Sequence, residues 1–244
     1  MKKLLVLFIL IPFFSNAQLL GGNNVIKVNL PSIALGNYHI TYERAIAKKL
    51  SLSISYRFMP KATVPLSGIV EKQLKNDDIK LGDFKMGNNA ITPELRIYPV
   101  KKLKGFYLAF YGRFANFDVD VPMKYVASSV PGAPVEYATF SGSIKSVSGG
   151  VMIGTQFSIF KKMVLDFWIL GAHYGSSNGD LNALMNRNLT PMEQQSLQNT
   201  LDDYKELGPF KFESKVTSAN TANIKSVGPW AGIRGLGLSL GIRF

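Results

Sequence analysis

Leu50-Ser51-Leu52-Ser53-Ile54-Ser55-Tyr56-Arg57-Phe58 alternates strictly, apolar at every even number and polar at every odd one. A period of two matches the pleat of a β-strand, whose successive side chains point to opposite faces, so this stretch reads as a strand with one apolar face. Leu236, Leu238, Leu240, Ile242 and Phe244 repeat the pattern against Gly237, Ser239, Gly241 and Arg243. The small residues on that second polar face leave room for large side chains from elsewhere. Six further segments read as strands with weaker alternation: 25–34, 37–46, 88–99, 105–118, 140–159 and 163–174. Together they make eight, the even number that closure of a single-chain outer-membrane barrel requires. Most reach the ~9–11 residues that a tilted strand needs to cross a bilayer. Pro93 falls inside the fourth strand and predicts a bulge or a local break in pairing.

The N-terminal residues carry an export signal. Met1-Lys2-Lys3, the apolar run Leu4 to Phe14 and the small residues Ser15-Asn16-Ala17 have the order of a secretory signal peptide, with cleavage expected after Ala17. The domain plan is therefore a signal peptide over 1–17 and an outer-membrane barrel over 18–244. The apolar run is shorter than the ~20 residues a transmembrane helix needs, and no second long apolar run follows. The chain lacks cysteine, so it has neither a disulfide framework nor a thiol for a lipid anchor. Hydrophobic residues make up 46% of it, yet the mean hydropathy is only +0.09, as expected when apolar and polar residues alternate. The formal charge of +12 falls to +10 once Lys2 and Lys3 are removed, 12 − 2. That charge is scattered along the chain, which argues against nucleic acid and for anionic lipid or lipopolysaccharide as the partner.

The connections carry the polarity of the barrel. Three are short and hold lysine pairs: Lys48-Lys49, Lys101-Lys102 and Lys161-Lys162. Those alternating with them are long, about 60–87, 119–139 and 175–231, apart from a tight first turn at Leu35-Gly36-Asn37. Short periplasmic turns and long extracellular loops have this pattern. The last loop contains Thr190-Pro191-Met192-Glu193, a capping box with proline at the first helical position, and Leu197, Leu201, Tyr204 and Leu207 follow before Gly208. A helix is expected over about 191–207, within a helical segment set at 190–208, and a weaker one near 65–74. The fold class is thus all-β, an eight-stranded antiparallel up-and-down transmembrane β-barrel with short periplasmic turns and long extracellular loops carrying one or two short helices.

Asn29 to Arg44, Tyr56-Arg57-Phe58-Met59-Pro60, Pro93 to Pro99, Gly171 to Ser177 and Gly228 to Arg234 resemble a family of small outer-membrane barrels of unknown function common in Bacteroidota. That family belongs to the broad OmpA/OmpW-like class of eight-stranded barrels. The resemblance implies the fold and the compartment and carries no catalytic residue. It also implies that Leu240, Ile242 and Phe244 form the signal read by the barrel-assembly machinery.

If apolar positions face lipid, the alternate positions face the lumen. Parity then places Lys27, Glu43, Arg57, Glu94, Arg96, Arg113, Asp166 and Arg243 inside, because Arg or Lys on the lipid face costs about 2–4 kcal/mol near the midplane. A lumen of eight strands is just wide enough for its own side chains to fill, so a cross-linked plug is expected. Asp166 is expected to pair with Arg243 near the periplasmic rim. The cation excess leaves a filter for a small anionic solute as a second reading. Tyr42, Phe58, Tyr98, Phe106, Phe117, Tyr174, Trp230 and Phe244 are expected to form interfacial girdles. His39 shares lumen parity, whereas His173 falls on the opposite face. Two histidines with no G-x-S-x-G and no zinc spacing point to no enzyme, no metal and no cofactor.

The reading at this stage is a non-enzymatic, monomeric outer-membrane barrel with a structural or envelope-interaction role. The alternative is a narrow conduit or binding protein for a small anionic or hydrophobic solute. A soluble lipocalin-like barrel would reverse the parity, with Leu52 inside and Arg57 outside.

Overall fold

The computed structural model describes residues 22–63, 83–126, 135–160, 162–207 and 210–244. The expected signal peptide and the expected helix at 65–74 lie outside these residues. In chain order the elements are β1 (Asn24–Asn29), α1 (Leu30–Ala34), β2 (Tyr38–Ala45), β3 (Leu50–Thr63), β4 (Lys85–Ile97), β5 (Gly105–Val126), β6 (Val135–Ile159), β7 (Met163–Leu184), α2 (Pro191–Asp203), β8 (Glu206–Leu207), β9 (Phe210–Ser218), β10 (Thr221–Arg234) and β11 (Gly237–Arg243).

All ladders are antiparallel. Consecutive strands β1 to β7 pair in order, and β11 joins β7 to β1, so eight strands close a ring. β10 continues the line of β11 along β7, with Arg234 opposite Gly171 and Gly237 opposite Trp168. The eighth wall strand is therefore β10 and β11 together, interrupted at Gly235-Leu236. Pro93 has the expected effect on pairing. The ladder from β4 to β5 is interrupted between Ile91 and Glu94 while the ladder to β3 runs through Pro93.

The lower part of the ring, toward the short turns, has its polarity inside out. Ser51, Ser53 and Ser55 are buried while Leu52, Ile54, Tyr56 and Phe58 are exposed. Ile91, Leu95, Phe110, Phe114, Val147, Val151, Ile153, Leu170 and Ile242 extend this outward apolar belt around the cylinder. A soluble barrel with an apolar lumen would show the reverse. Inward glycines make the space for large neighbours: a Cβ on Gly241 would strike the stem of Lys27, and one on Gly237 the indole of Trp168.

Three sequence expectations change. The segment 25–34 is a strand only to Asn29. The Asn29 side chain accepts from the Ser32 amide and Pro31 sits in the first turn, so the chain leaves the sheet as the single turn α1. The stretches 119–139 and 175–231, expected as loops, are largely strand. β5, β6 and β7 run 22, 25 and 22 residues, and with β10, β9 and β8 they build a sheet far beyond the ring. The helix α2 lies at Pro191–Asp203 behind the Thr190/Glu193 capping box, and its C-terminal neighbours turn into β8. Leu197 and Leu201 pack with Val119, Phe140, Leu181, Ala222 and Ile224, so the extension has an ordinary apolar core with α2 across its inner face.

Candidate functional site

The lumen has two storeys. In the lower one, inward positions of β1, β2, β4 and β7 bring Lys27, Glu43, Glu94, Arg96 and Asp166 together, each essentially inaccessible. Lys27 Nζ lies 2.5 Å from both Glu43 Oε2 and Asp166 Oδ2 and donates to Gln156 Oε1 at 3.0 Å. Arg96 reaches Asp166 at 2.7 Å, Glu94 at 2.7 Å and Glu43 at 3.3 Å. Tyr98 and Ser51 donate to Glu43 Oε1, and Tyr107 donates to Asp166 Oδ1. From above, Arg234 Nη1 closes the remaining oxygen, Glu94 Oε1, at 2.9 Å. Every carboxylate oxygen thus has a donor, and Lys27, Arg96 and Arg234 balance Glu43, Glu94 and Asp166. A network whose carboxylates are all satisfied offsets the desolvation of its charges and forms a rigid floor.

Above the floor the balance ends. A cavity of about 420 Å³ is lined by Arg57, Arg113 and Arg234 together with Trp168, His173 and Trp230, and among the described residues no carboxylate lines it. Arg57 and Arg113 have no ion pair among the described residues, and the Nε atoms of Arg57 and Arg234 are buried without a partner. The Arg234 guanidinium stacks 4.5 Å from the Trp168 ring and 4.8 Å from that of Tyr111, which fixes its plane. His39 packs edge-on against Trp168, and Tyr111 OH lies 3.3 Å from His173 Nδ1. Phe117 and Trp230 stack at 5.0 Å at the upper edge. Arg57 and Arg113, without a carboxylate partner among the described residues, face this cavity beside Arg234, whose countercharge is Glu94 in the floor, and two such unpaired guanidiniums are the arrangement that receives an anion.

Of the eight expected lumen charges, Lys27, Glu43, Glu94, Arg96 and Asp166 meet in the floor, and Arg57 and Arg113 line the vestibule. Arg243 stands apart near the short-turn rim, where its Nη2 donates to Leu103 O at 2.6 Å. The expected pair of Arg243 with Asp166 does not form. Ser239 is the residue opposite Asp166, and Arg243 sits a full turn of the ladder lower. Among the aromatics, Tyr42, Phe58, Phe106 and Tyr174 are exposed on the outer surface and Phe244 is half-buried. Tyr98, Phe117 and Trp230 are corrections, since they point inward, Tyr98 into the floor and the other two into the vestibule.

His173 is the further correction, because it lines the cavity. β7 carries an extra residue at Ile169, and the break at Gly235-Leu236 matches it across the ladder. Both strands therefore exchange faces at this height, which turns His173 and Arg234 inward. Simple parity counting from either end misses this. Arg234, Gln156, Tyr107, Tyr111 and Trp168 were not anticipated; the glycines at 232 and 237, which make room for His173 and Trp168, were the available sign that bulky groups cross there.

No curated protein and no solved structure matches the chain. A family model described as a protein of unknown function, DUF3575, matches residues 3–198, a stretch that includes Lys27, Glu43, Glu94, Arg96 and Asp166 of the floor and Arg57, Arg113 and His173 of the vestibule. By that match, over most of its length, the chain belongs to the DUF3575 family.

Proposed function

We propose that this chain is an integral outer-membrane β-barrel without enzymatic activity, closed to through-flow by its floor, that acts at the envelope surface by holding an anionic ligand in its vestibule. The membrane reading is supported by the belt. Its outward residues on β6 run from Val147 to Phe157, the length of about 9–11 residues that a tilted strand needs. Exposed apolar side chains over buried ionic ones are stable only where the surrounding medium is hydrocarbon. Lipid is then the immediate environment, the short turns face the periplasm, and the ordered extension with α2 stands outside. This orientation also fits the resemblance to small Bacteroidota barrels.

The observation that carries the binding role is the carboxylate-free, arginine-lined cavity above a fully paired floor. The chain contains two tryptophans, and both line that cavity. Their emission therefore reports occupancy. Inorganic phosphate added to the detergent-purified protein is expected to change it saturably, and Arg57→Gln with Arg113→Gln is expected to abolish the response. Planar bilayers containing the protein are expected to show no conductance steps. Steady ion conductance, or a phosphate response untouched by the double substitution, would overturn the reading.

A further inference from the structure

The wall beside the vestibule is open. β9 pairs with β10 only from Thr221 to Val227, and β1 pairs with β11 only from Ser239 to Arg243. Between them, among the described residues, Gly228 to Arg234 and Gly237-Leu238 have ladder partners on the β7 side alone, and Gly235-Leu236 have none. The cause lies across the gap. Asn29 and Pro31 divert the chain into α1, so β1 stops short and β2 restarts at Tyr38. The β1–β2 hairpin is consequently the low point of the wall.

This opening lies at the level of the belt. Ile233 stands opposite Ala172, Ala172 opposite Val151, and Val151 opposite Phe110, and the side chains of Val151 and Phe110 are exposed in the belt. Its outer lips are apolar, with Leu236 82% and Ile233 77% exposed on one side and Leu35 65% on the other. The inner side is cationic: Arg113 and Arg234 are each more than nine-tenths buried and face the cavity with Arg57. Greasy lips and a cationic interior, in that order from outside to inside, match one class of molecule. An unpaired backbone edge facing hydrocarbon is also unfavourable, and is tolerated only where it borders a polar opening.

We infer that the vestibule takes a lipid bearing an anionic, phosphate-class headgroup, which enters sideways through the gap between β10 and α1. The headgroup rests against Arg57, Arg113 and Arg234, and its acyl chains stay outside against Leu236, Ile233 and Leu35. This rests on the proposed membrane reading and on the anion site. It differs from binding of free phosphate in the route taken and in the need for acyl chains.

The test uses the full chain in phosphatidylcholine nanodiscs doped with a small fraction of lipid brominated at the headgroup end of its acyl chains, whose bromine quenches nearby tryptophan. Brominated phosphatidylglycerol is expected to quench Trp168 and Trp230 with about tenfold preference over brominated phosphatidylcholine, the ratio that one charge-assisted hydrogen bond supplies. Arg57→Gln with Arg113→Gln is expected to erase the preference. Leu236→Asp, which places a negative charge on the lip, is expected to erase it while leaving the response to inorganic phosphate intact. Heat-dependent gel mobility verifies that each variant is folded. Equal quenching by the two lipids, with the phosphate response retained, overturns lateral lipid entry and leaves the anion site standing. Loss of both responses in the folded wild type overturns the two together.

Discussion

Two regions of β7 compare the same strand in two settings. From Met163 to Leu170 the apolar side chains Met163, Phe167 and Leu170 are exposed, and Asp166 is sealed within. From Asp180 to Ala183 the arrangement reverses: Leu181 and Ala183 are buried in the core under α2, while Asp180 and Asn182 face out. The ladder to β6 stays antiparallel throughout, with one extra residue at Ile169 where β7 exchanges faces. The strand's inner face is ionic where the outside is apolar, and apolar where the outside is polar. Side-chain polarity follows the medium, which is the physical ground for placing hydrocarbon around one half and water around the other.

The largest effect is expected where the contrast is sharpest. Asp166→Ala strands Lys27 and Arg96 without part of their countercharge in the floor, a loss of about 3–5 kcal/mol, read as a lower urea midpoint by tryptophan fluorescence in detergent. A stability unchanged by this substitution would mean that the floor is solvated. Next, Ile54→Arg in mid-belt is expected to cost about 2–4 kcal/mol, whereas Asn178→Arg, outward on β7 beyond the belt, should stay within about 0.5 kcal/mol. Equal effects would erase the boundary between the two regions. Thr190→Ala removes the hydroxyl that caps α2 and is expected to cost about 1 kcal/mol, seen as faster hydrogen exchange confined to the extension.

The smallest effect is one of pH. Hydrogen bonds from Arg187, then from the Thr190 amide, hold the Glu193 carboxyl down at about 2. A depressed acid stabilises the fold above its ordinary value and loses that contribution as protons bind. Protection of α2 should therefore be constant above about pH 4.5 and decline from there toward pH 2. Arg187→Gln should flatten the decline, and the belt strands should show none of it.

The ring was legible in the sequence because its alternation is driven by a single medium along each strand, as in 50–58. Five floor residues followed from parity and the cost of charge in lipid. The extension was not legible. Near Gly175-Ser176-Ser177-Asn178-Gly179-Asp180 both faces are small or polar, so the alternation fades between the ring and the extension, and the stretch imitates a loop. Arg234 and His173 escaped because the paired irregularity at Ile169 and Gly235-Leu236 swaps faces locally. Such a swap depends on two strands remote in sequence, and parity counted along either one alone does not reveal it. α1 escaped because Leu30-Pro31-Ser32-Ile33 still looks half-alternating, and the Asn29 cap decides against extension.

Ring closure has a consequence for how the molecule comes into being. Asn24 and Phe244 exchange backbone hydrogen bonds at 3.0 and 2.9 Å, across a sequence separation of 220 residues. Whatever order the other strands adopt, this seam cannot zip until nearly everything between has been made and aligned. Until then the product is a curved ribbon with two sticky margins, at β1 and β11, each able to recruit a foreign strand. The last join is thus both the slowest to find and the one that ends the hazard.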